Sequence, residues 1–251
     1  MLGLPEGVTA CLFDMDGVVT KTAVVHAAAW KDMFDEFLRQ RAHETGTPFV
    51  PFDPVADYDA YVDGKPRLDG TRSFLEARGI QLPEGSPDDH PGTPTVWGLS
   101  NRKNDLVLDR LARGGVEVYP GTVRYITSAR NDFGIKTAIV SSSANTGQVL
   151  DGAGIAGLFD VRIDGVIATE RGLPGKPAPD TYLAAAQELG ITPDQAAVFE
   201  DALAGVAAGR AGKFGLVVGV DRVGQADELR AHGADVVVKD VAELMDGGDE
   251  K

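Results

Sequence analysis

Two aspartates at a spacing of two stand directly off an apolar run: Val8 to Phe13, then Asp14-Met15-Asp16-Gly17-Val18-Val19-Thr20. The pattern suits phosphoryl transfer, with a carboxylate as nucleophile. On extended backbone, residues i and i+2 share a face, and Gly17 lets the chain turn at once. Two carboxylates so close repel unless a proton or a cation joins them. A bound Mg²⁺ is the common remedy, because it favours oxygen ligands and leaves room for phosphate. For an isolated Asp-x-Asp-Gly, turn and cap residues ending a strand are at least as good an account. Other residues must decide.

Glu200-Asp201 taken alone is best read as an acid pair at a helix start, favoured by the macrodipole. Beside Asp14 and Asp16 it becomes a second pair of metal ligands. Ser141-Ser142-Ser143 before a helix is ordinarily N-capping, yet a strand-end hydroxyl with adjacent backbone N–H groups also cradles phosphate. The two accounts weigh equally. Lys176, in Gly175-Lys176-Pro177-Ala178-Pro179-Asp180, is by itself a solvated loop lysine. In a loop stiffened by prolines it also suits neutralisation of a phosphoryl group. His26 falls on the apolar face of a helix, where a satisfied histidine and a functional one balance. Arg67 and Arg102-Lys103-Asn104 fit a charged helix start. Gly152-Ala153-Gly154-Ile155-Ala156-Gly157 matches GxGxxG but follows a helical pattern rather than a strand, the wrong context for a dinucleotide site.

The elements that must position these residues are legible in outline. A long amphipathic helix runs from Thr22 to about Arg41, with His26, Trp30, Met33, Phe34 and Phe37 at three to four residue intervals. From Ala42 to about Val118 short helical candidates are split by Pro- and Gly-rich turns, which reads as a helical insertion. Thereafter apolar strands at Lys136 to Val140, Ala197 to Phe199, Phe214 to Val220 and Ala234 to Val238 alternate with helices. Those helices are Thr122 to Asp132, Asn145 to Ala153, Pro179 to Leu189, Ala202 to Ala211 and Gln225 to His232. Alternation of this kind argues a parallel sheet with helices on both faces. In such sheets ligands sit beyond the carboxyl ends of the strands, where the Asp pair, the serines and Glu200-Asp201 all fall. The tail from Asp246 to Lys251 reads as disordered.

Composition narrows the function further. At 251 residues and 43 % hydrophobic, the chain can bury one good core plus a smaller satellite. A formal charge of −14 argues against a broad nucleic-acid footprint, because phosphate backbones are held by clustered lysine and arginine. The sole cysteine, Cys11, lies within the first strand, so no intramolecular disulfide forms and a buried thiol in a reducing compartment is expected. The N-terminus lacks a basic n-region and an apolar h-region, and no apolar run nears the ~18 residues of a membrane span. A cytoplasmic protein with no membrane partner is the expectation.

Taken together, the motifs resemble the haloacid dehalogenase superfamily, in the group with a helical cap inserted after the first strand. Asp14-Met15-Asp16-Gly17-Val18 is similar to its nucleophile motif, Ser141 to its second-motif hydroxyl, Lys176 to its third-motif lysine and Glu200-Asp201 to its fourth-motif acids. Within it the chain resembles the β-phosphoglucomutase family through Asp14 to Thr20 with Thr22, His26 and Trp30, through Arg102-Lys103-Asn104-Asp105, through Tyr119-Pro120-Gly121 and through Lys176-Pro177-Ala178-Pro179-Asp180. The resemblance implies a Rossmann-like α/β core over residues 1–21 and 116–251 and a helical cap over 22–115. It implies catalytic roles for Asp14, Asp16, Ser141 and Lys176, and Mg²⁺ held by Asp14, Asp16 (through its carbonyl), Glu200 and Asp201. Substrate contacts fall to His26, Arg67, Lys103, Ser143 and Asn145. The substrate is a small phosphorylated sugar, and a monomer is expected. Lys21 replaces an acid common at that position, and Ala42 to Val55 and Gln81 to Gly98 lengthen the cap.

Three functions compete on these residues. In the first, Asp14 becomes an aspartyl phosphate, Asp16 exchanges the proton, and a closed cap presents a sugar hydroxyl, interconverting β-glucose 1-phosphate and glucose 6-phosphate. In the second, water takes the phosphoryl group and the protein is a sugar-phosphate phosphatase. The third is a non-catalytic phosphosugar-binding protein, against which the intact acid and lysine set argues.

Overall fold

The computed structural model describes residues 2–246. The tail read above as disordered lies outside the described residues except for Asp246, which ends a short helix. In chain order the elements are β1 (Ala10–Phe13), α1 (Ala23–Thr45), a π-type turn (Tyr58–Val62), α2 (Arg67–Ala77), α3 (Val96–Gly114), α4 (Pro120–Asn131), β2 (Lys136–Val140) and α5 (Thr146–Gly152). There follow β3 (Val161–Ile163), α6 (Gly165–Glu170), α7 (Asp180–Leu189), β4 (Ala196–Glu200), α8 (Leu203–Ala211), β5 (Leu216–Val220), α9 (Ala226–His232), β6 (Val236–Val238) and α10 (Glu243–Asp246). None of the described helices is long and apolar enough to cross a membrane.

The strands form a sheet in the order β3-β2-β1-β4-β5-β6, each pair parallel. Parallel pairing with helical crossovers explains why β1, β4 and β5 are buried along their whole length and read as continuous apolar runs. The chain first winds from β1 outward through β2 to β3, then returns to the other side of β1 for β4, β5 and β6. That reversal makes the carboxyl end of β1 a topological switch point, where sheets of this kind leave a crevice. Register levels the strand ends: Phe13 lies opposite Ile139 of β2 and Phe199 of β4, and its ring stacks on Phe199 at 4.5 Å. The core on one face joins Leu12, Val140, Ile163 and Val198 to Tyr182, Ala185 and Leu189 of α7.

The chain divides into two compact units, Met1–Lys21 with Val116–Lys251, and Thr22–Gly115. The second has an aromatic core of its own, in which Phe34 of α1 packs on Phe74 of α2 at 4.0 Å and on Trp30 and Phe52 at 5.3 Å. Asp35 of α1 is buried beside them and accepts from the Phe52 N–H at 2.8 Å and from Lys31 at 2.9 Å. This ties the long connection after α1 back onto the helix.

Several boundaries differ from the sequence reading for identifiable reasons. Val8 is outside β1, since its N–H turns back to the Pro5 carbonyl. Helix α1 continues past Arg41 to Thr45 because its first stop signal is Gly46, a left-handed cap at φ 68°. Helix α3 is one 19-residue helix rather than short pieces: Thr95 caps it by accepting from Gly98 N–H, and after Gly98, in its first turn, no glycine or proline follows until Gly114-Gly115. Arg102-Lys103-Asn104 therefore sits in mid-helix and not at a helix start. Strand β3 escaped the reading because three residues, with Arg162 pointing outward, are too few to show a period. Helix α6 escaped it for the same reason, at six residues capped by Asp164.

Candidate active site

The strand register delivers the acids. Since Phe13 pairs with Phe199, Asp14 emerges level with Glu200, and the Asp14 N–H donates to the Phe199 carbonyl at 2.9 Å. Asp201 follows one residue later. One oxygen from each of Asp14, Glu200 and Asp201 lies within 4.8 Å of the others, and all three residues are buried. The Asp16 carboxylate is not in this cluster; its residue pairs with Thr20 in a short bridge beyond β1. The strand ends at Phe13 and the chain reverses at Gly17, φ 91°, so the backbone between the two aspartates is not regular strand, while Asp16 stays near enough to Asp14 to repel its charge. A Cβ at Gly17 would overlap the Asp201 carboxylate, so only glycine lets the loop approach the acids so closely.

Lys176 is the counter-ion. It is 2 % exposed, which overturns the solvated reading, and its ammonium donates to Asp14 Oδ1 at 2.6 Å, Glu200 Oε1 at 2.5 Å and the Val140 carbonyl at 3.0 Å. Three donors meet three acceptors. Glu200 Oε1 also accepts from the buried Tyr182 hydroxyl at 2.9 Å, and Oε2 accepts from the Ala202 N–H at 3.2 Å. The Tyr182 ring lies 4.9 Å from the ammonium, adding a cation–π contact. Burial opposes the charge on Lys176, yet Asp14 and Glu200 outweigh it and raise its pKa. Burial pushes the Asp14 carboxyl well above the carboxylate range; Lys176 pulls it down, while Glu200 and Asp16 repel it. One ammonium cannot neutralise this many buried carboxylates. A hard cation held by oxygen ligands fits the donor set and the excess negative charge.

Ser141 follows β2, its N–H donating to the Ile163 carbonyl, and it is buried. Its hydroxyl accepts from the Ser143 N–H at 3.1 Å, and the Ser143 hydroxyl accepts from the Asn145 N–H at 3.2 Å. These are turn contacts that shape the loop between β2 and α5; Asn145 precedes α5 and is half-buried. Each hydroxyl retains its own hydrogen to donate.

The remaining candidates lie in the second unit. Lys103 of α3 is buried, its Nζ 2.9 Å from His26 Nδ1 of α1 and 4.8 Å from the Trp30 ring centroid. Donation by the ammonium requires an unprotonated Nδ1. Arg67 opens α2 and is half-buried; burial works against its charge and Asp105 offsets part of that. Arg102 pairs with Glu36 at 3.1 Å on the surface. Lys21, where an acid is common, pairs with Glu117 at 2.9 Å. Two contributors were missed. Tyr182 carries no spacing signal, although it stands in the first turn of α7, directly after the Lys176 loop. Arg222 stands just past β5, and the question asked of the other strand ends would have found it.

The chain matches the family described as "Hydrolase: haloacid dehalogenase-like hydrolase" over residues 8–213. It is 57 % identical over 248 residues to the β-phosphoglucomutase of Mycobacterium tuberculosis, covering 98 % of this chain and 94 % of that protein. It is 30 % identical to the β-phosphoglucomutase of Bacillus subtilis, covering 94 % and 91 %. In fold it is similar to the crystal structure of β-phosphoglucomutase from Clostridium difficile, with a TM-score of 0.73 at 24 % identity over 94 % and 93 % of the two chains.

Proposed function

The chain belongs to the haloacid dehalogenase-like hydrolase family, and on that premise we propose that it is a β-phosphoglucomutase, interconverting β-glucose 1-phosphate and glucose 6-phosphate. One geometric observation carries the chemistry: Asp14, at the switch point of the sheet, is held 2.6 Å from a buried lysine and beside two further carboxylates. The choice of sugar and of an isomerising outcome is supported by the near full-length identity to the mycobacterial enzyme.

Asp14 attacks phosphorus in line. An Asp14 oxygen–phosphorus bond forms, the bond from phosphorus to the sugar oxygen breaks, and Asp16 gives its proton to that oxygen. In the other half the free hydroxyl of a bound hexose monophosphate attacks the aspartyl phosphate while Asp16 takes its proton, which forms the hexose bisphosphate and frees Asp14. The first step, run on the other phosphate of that bisphosphate, releases the isomeric monophosphate and restores the aspartyl phosphate. Lys176 places positive charge beside the reacting phosphorus, and the Ser141 hydroxyl adds a donor for an equatorial oxygen. Asp14, Glu200, Asp201 and the Asp16 carbonyl would hold Mg²⁺, which supplies charge neutralisation to the acids and the phosphoryl oxygens. Ser143 and Asn145, with His26, Arg67 and Lys103 of the second unit, are assigned to the sugar and its distal phosphate. Residues 22–115 serve as the cap, and the protein acts as a monomer.

The test supplies β-glucose 1-phosphate, Mg²⁺ and a trace of glucose 1,6-bisphosphate, and measures glucose 6-phosphate against free phosphate. Glucose 6-phosphate dependent on the bisphosphate is expected. Free phosphate alone would sink the mutase and leave a phosphatase.

A further inference from the structure

The carboxyl edge of β5 carries a group that the mechanism above does not use. Arg222 is half-buried and reaches the turn after the aspartate pair: its Nε donates to the Gly17 carbonyl at 2.7 Å and its Nη1 to the Lys239 carbonyl at 2.7 Å. The guanidinium stacks on Tyr119, 3.5 Å from the ring centroid. A planar fork that donates in two directions while stacking is a task for arginine and not for lysine. The loop carrying Arg222 is itself braced. Asp221 Oδ1 accepts from the N–H groups of Gly224 and Gln225 at 2.6 and 2.9 Å, and Gln225 Nε2 donates to the Asp201 carbonyl at 3.0 Å. A single loop thus grips both the turn after Asp16 and the backbone of Asp201.

What the grip does follows from the residue gripped. Glycine has no side chain to restrict its backbone, so at Gly17 the turn that follows Asp16 depends on its hydrogen bonds for its direction. Its other ties include Gly17 N–H to the Thr20 carbonyl at 2.7 Å, the Val19 and Thr20 N–H groups to the Met15 carbonyl at 3.0 and 2.9 Å, Thr20 Oγ1 to the Met15 carbonyl at 3.1 Å, Thr122 Oγ1 to the Val18 carbonyl at 2.8 Å and Tyr119 N–H to the Val19 carbonyl at 2.9 Å. Arg222 holds the Gly17 carbonyl from β5, and Tyr119 backs the guanidinium. We propose that Arg222 is a positioning residue for proton delivery: acting through the Gly17 carbonyl, it fixes the direction in which the Asp16 carboxyl is presented to the leaving oxygen. The proposal rests on the reading of Asp16 as the acid.

The test uses two phosphoryl donors that differ in their need for a proton. Transfer from glucose 1,6-bisphosphate to Asp14 leaves a sugar oxygen that must be protonated, whereas 4-nitrophenolate leaves without a proton. In the Mg²⁺-loaded protein, rapid-quench rates of phosphoenzyme formation are compared for the two donors. Arg222→Met and Arg222→Lys are expected to slow transfer from the bisphosphate about tenfold more than from 4-nitrophenyl phosphate, and Asp16→Asn about a hundredfold more. Arg222→Lys keeps the charge, so it separates loss of the fork and stack from loss of fold. A loosened structure slows both donors alike. Equal slowing in both Arg222 variants, with the bias intact in Asp16→Asn, overturns the role of Arg222; absence of bias in Asp16→Asn overturns the reading of Asp16 beneath it.

Discussion

Asp14 must ionise where burial opposes ionisation. Its pKa in the folded chain lies above the ordinary 3.8, chiefly through desolvation. By linkage, the stability contributed by such a raised group is fully present below that ordinary value and is lost as pH rises through the folded value. Asp14→Asn escapes that loss. In chelator at pH 8 the variant is expected to melt above the parent, by about 2–4 °C for each kcal/mol relieved, with the gap closing toward pH 4 or on addition of Mg²⁺. A variant that melts below the parent at pH 8 in chelator contradicts the electrostatic account. Having no nucleophile, the same variant is expected to form no phosphoenzyme and to turn over no substrate; unchanged turnover would refute the assignment. Lys176→Met strands Asp14 and Glu200 without their shared donor, a loss of about 3–5 kcal/mol for a broken buried pair, read as a fall in the urea midpoint.

Elements hold these groups by close approach. Glu200 ends β4 and its carboxylate lies against Gly205 in the first turn of α8, where a Cβ would overlap it. Gly205→Ala is expected to push Glu200 off its contacts with Lys176 and Tyr182, weakening Mn²⁺ binding by about tenfold with a stability cost of about 1–3 kcal/mol; unchanged Mn²⁺ affinity by calorimetry would show that Glu200 has slack. In the second unit Phe34 is fully buried among three other rings. Phe34→Ala should cost about 3–5 kcal/mol, seen as faster hydrogen exchange across α1, α2 and α3. The strands with long apolar runs were readable because burial on both faces leaves a continuous signature; Lys136 to Val140 coincides with β2. Strand β3 was not, since at three residues on the sheet edge it exists through pairing with β2 rather than through its own pattern.

At the scale of the whole molecule, metal binding is folding free energy for the unit that carries the acids. Saturating Mg²⁺ at about a hundred times its dissociation constant adds about 2.7 kcal/mol. The gain in exchange protection is expected at β1, β4 and the loop after β5, and not at residues 22–115. Equal gains in both units would contradict a site built from Asp14, Glu200 and Asp201. The negative charge of −14 attracts the cation most at low ionic strength, where charges are screened least, so the same gain is reached there at a lower Mg²⁺ concentration. By itself the sequence determined the chemical inventory and its order: an aspartate pair off the first strand, hydroxyls after the second, a lysine in a proline-stiffened loop and an acid pair, all at strand ends or in the loops between. Local patterns suffice for that, because strand ends and turns are written within a few residues. Only the tertiary structure decided that Lys176 is a buried counter-ion to an aspartate 162 residues away, that the chain reverses at Gly17 directly after the aspartate pair, that Tyr182 donates to Glu200 and that Arg222 reaches the Gly17 carbonyl. Those outcomes depend on parallel register and burial, and contacts between distant strand ends leave no trace in the spacing of neighbours.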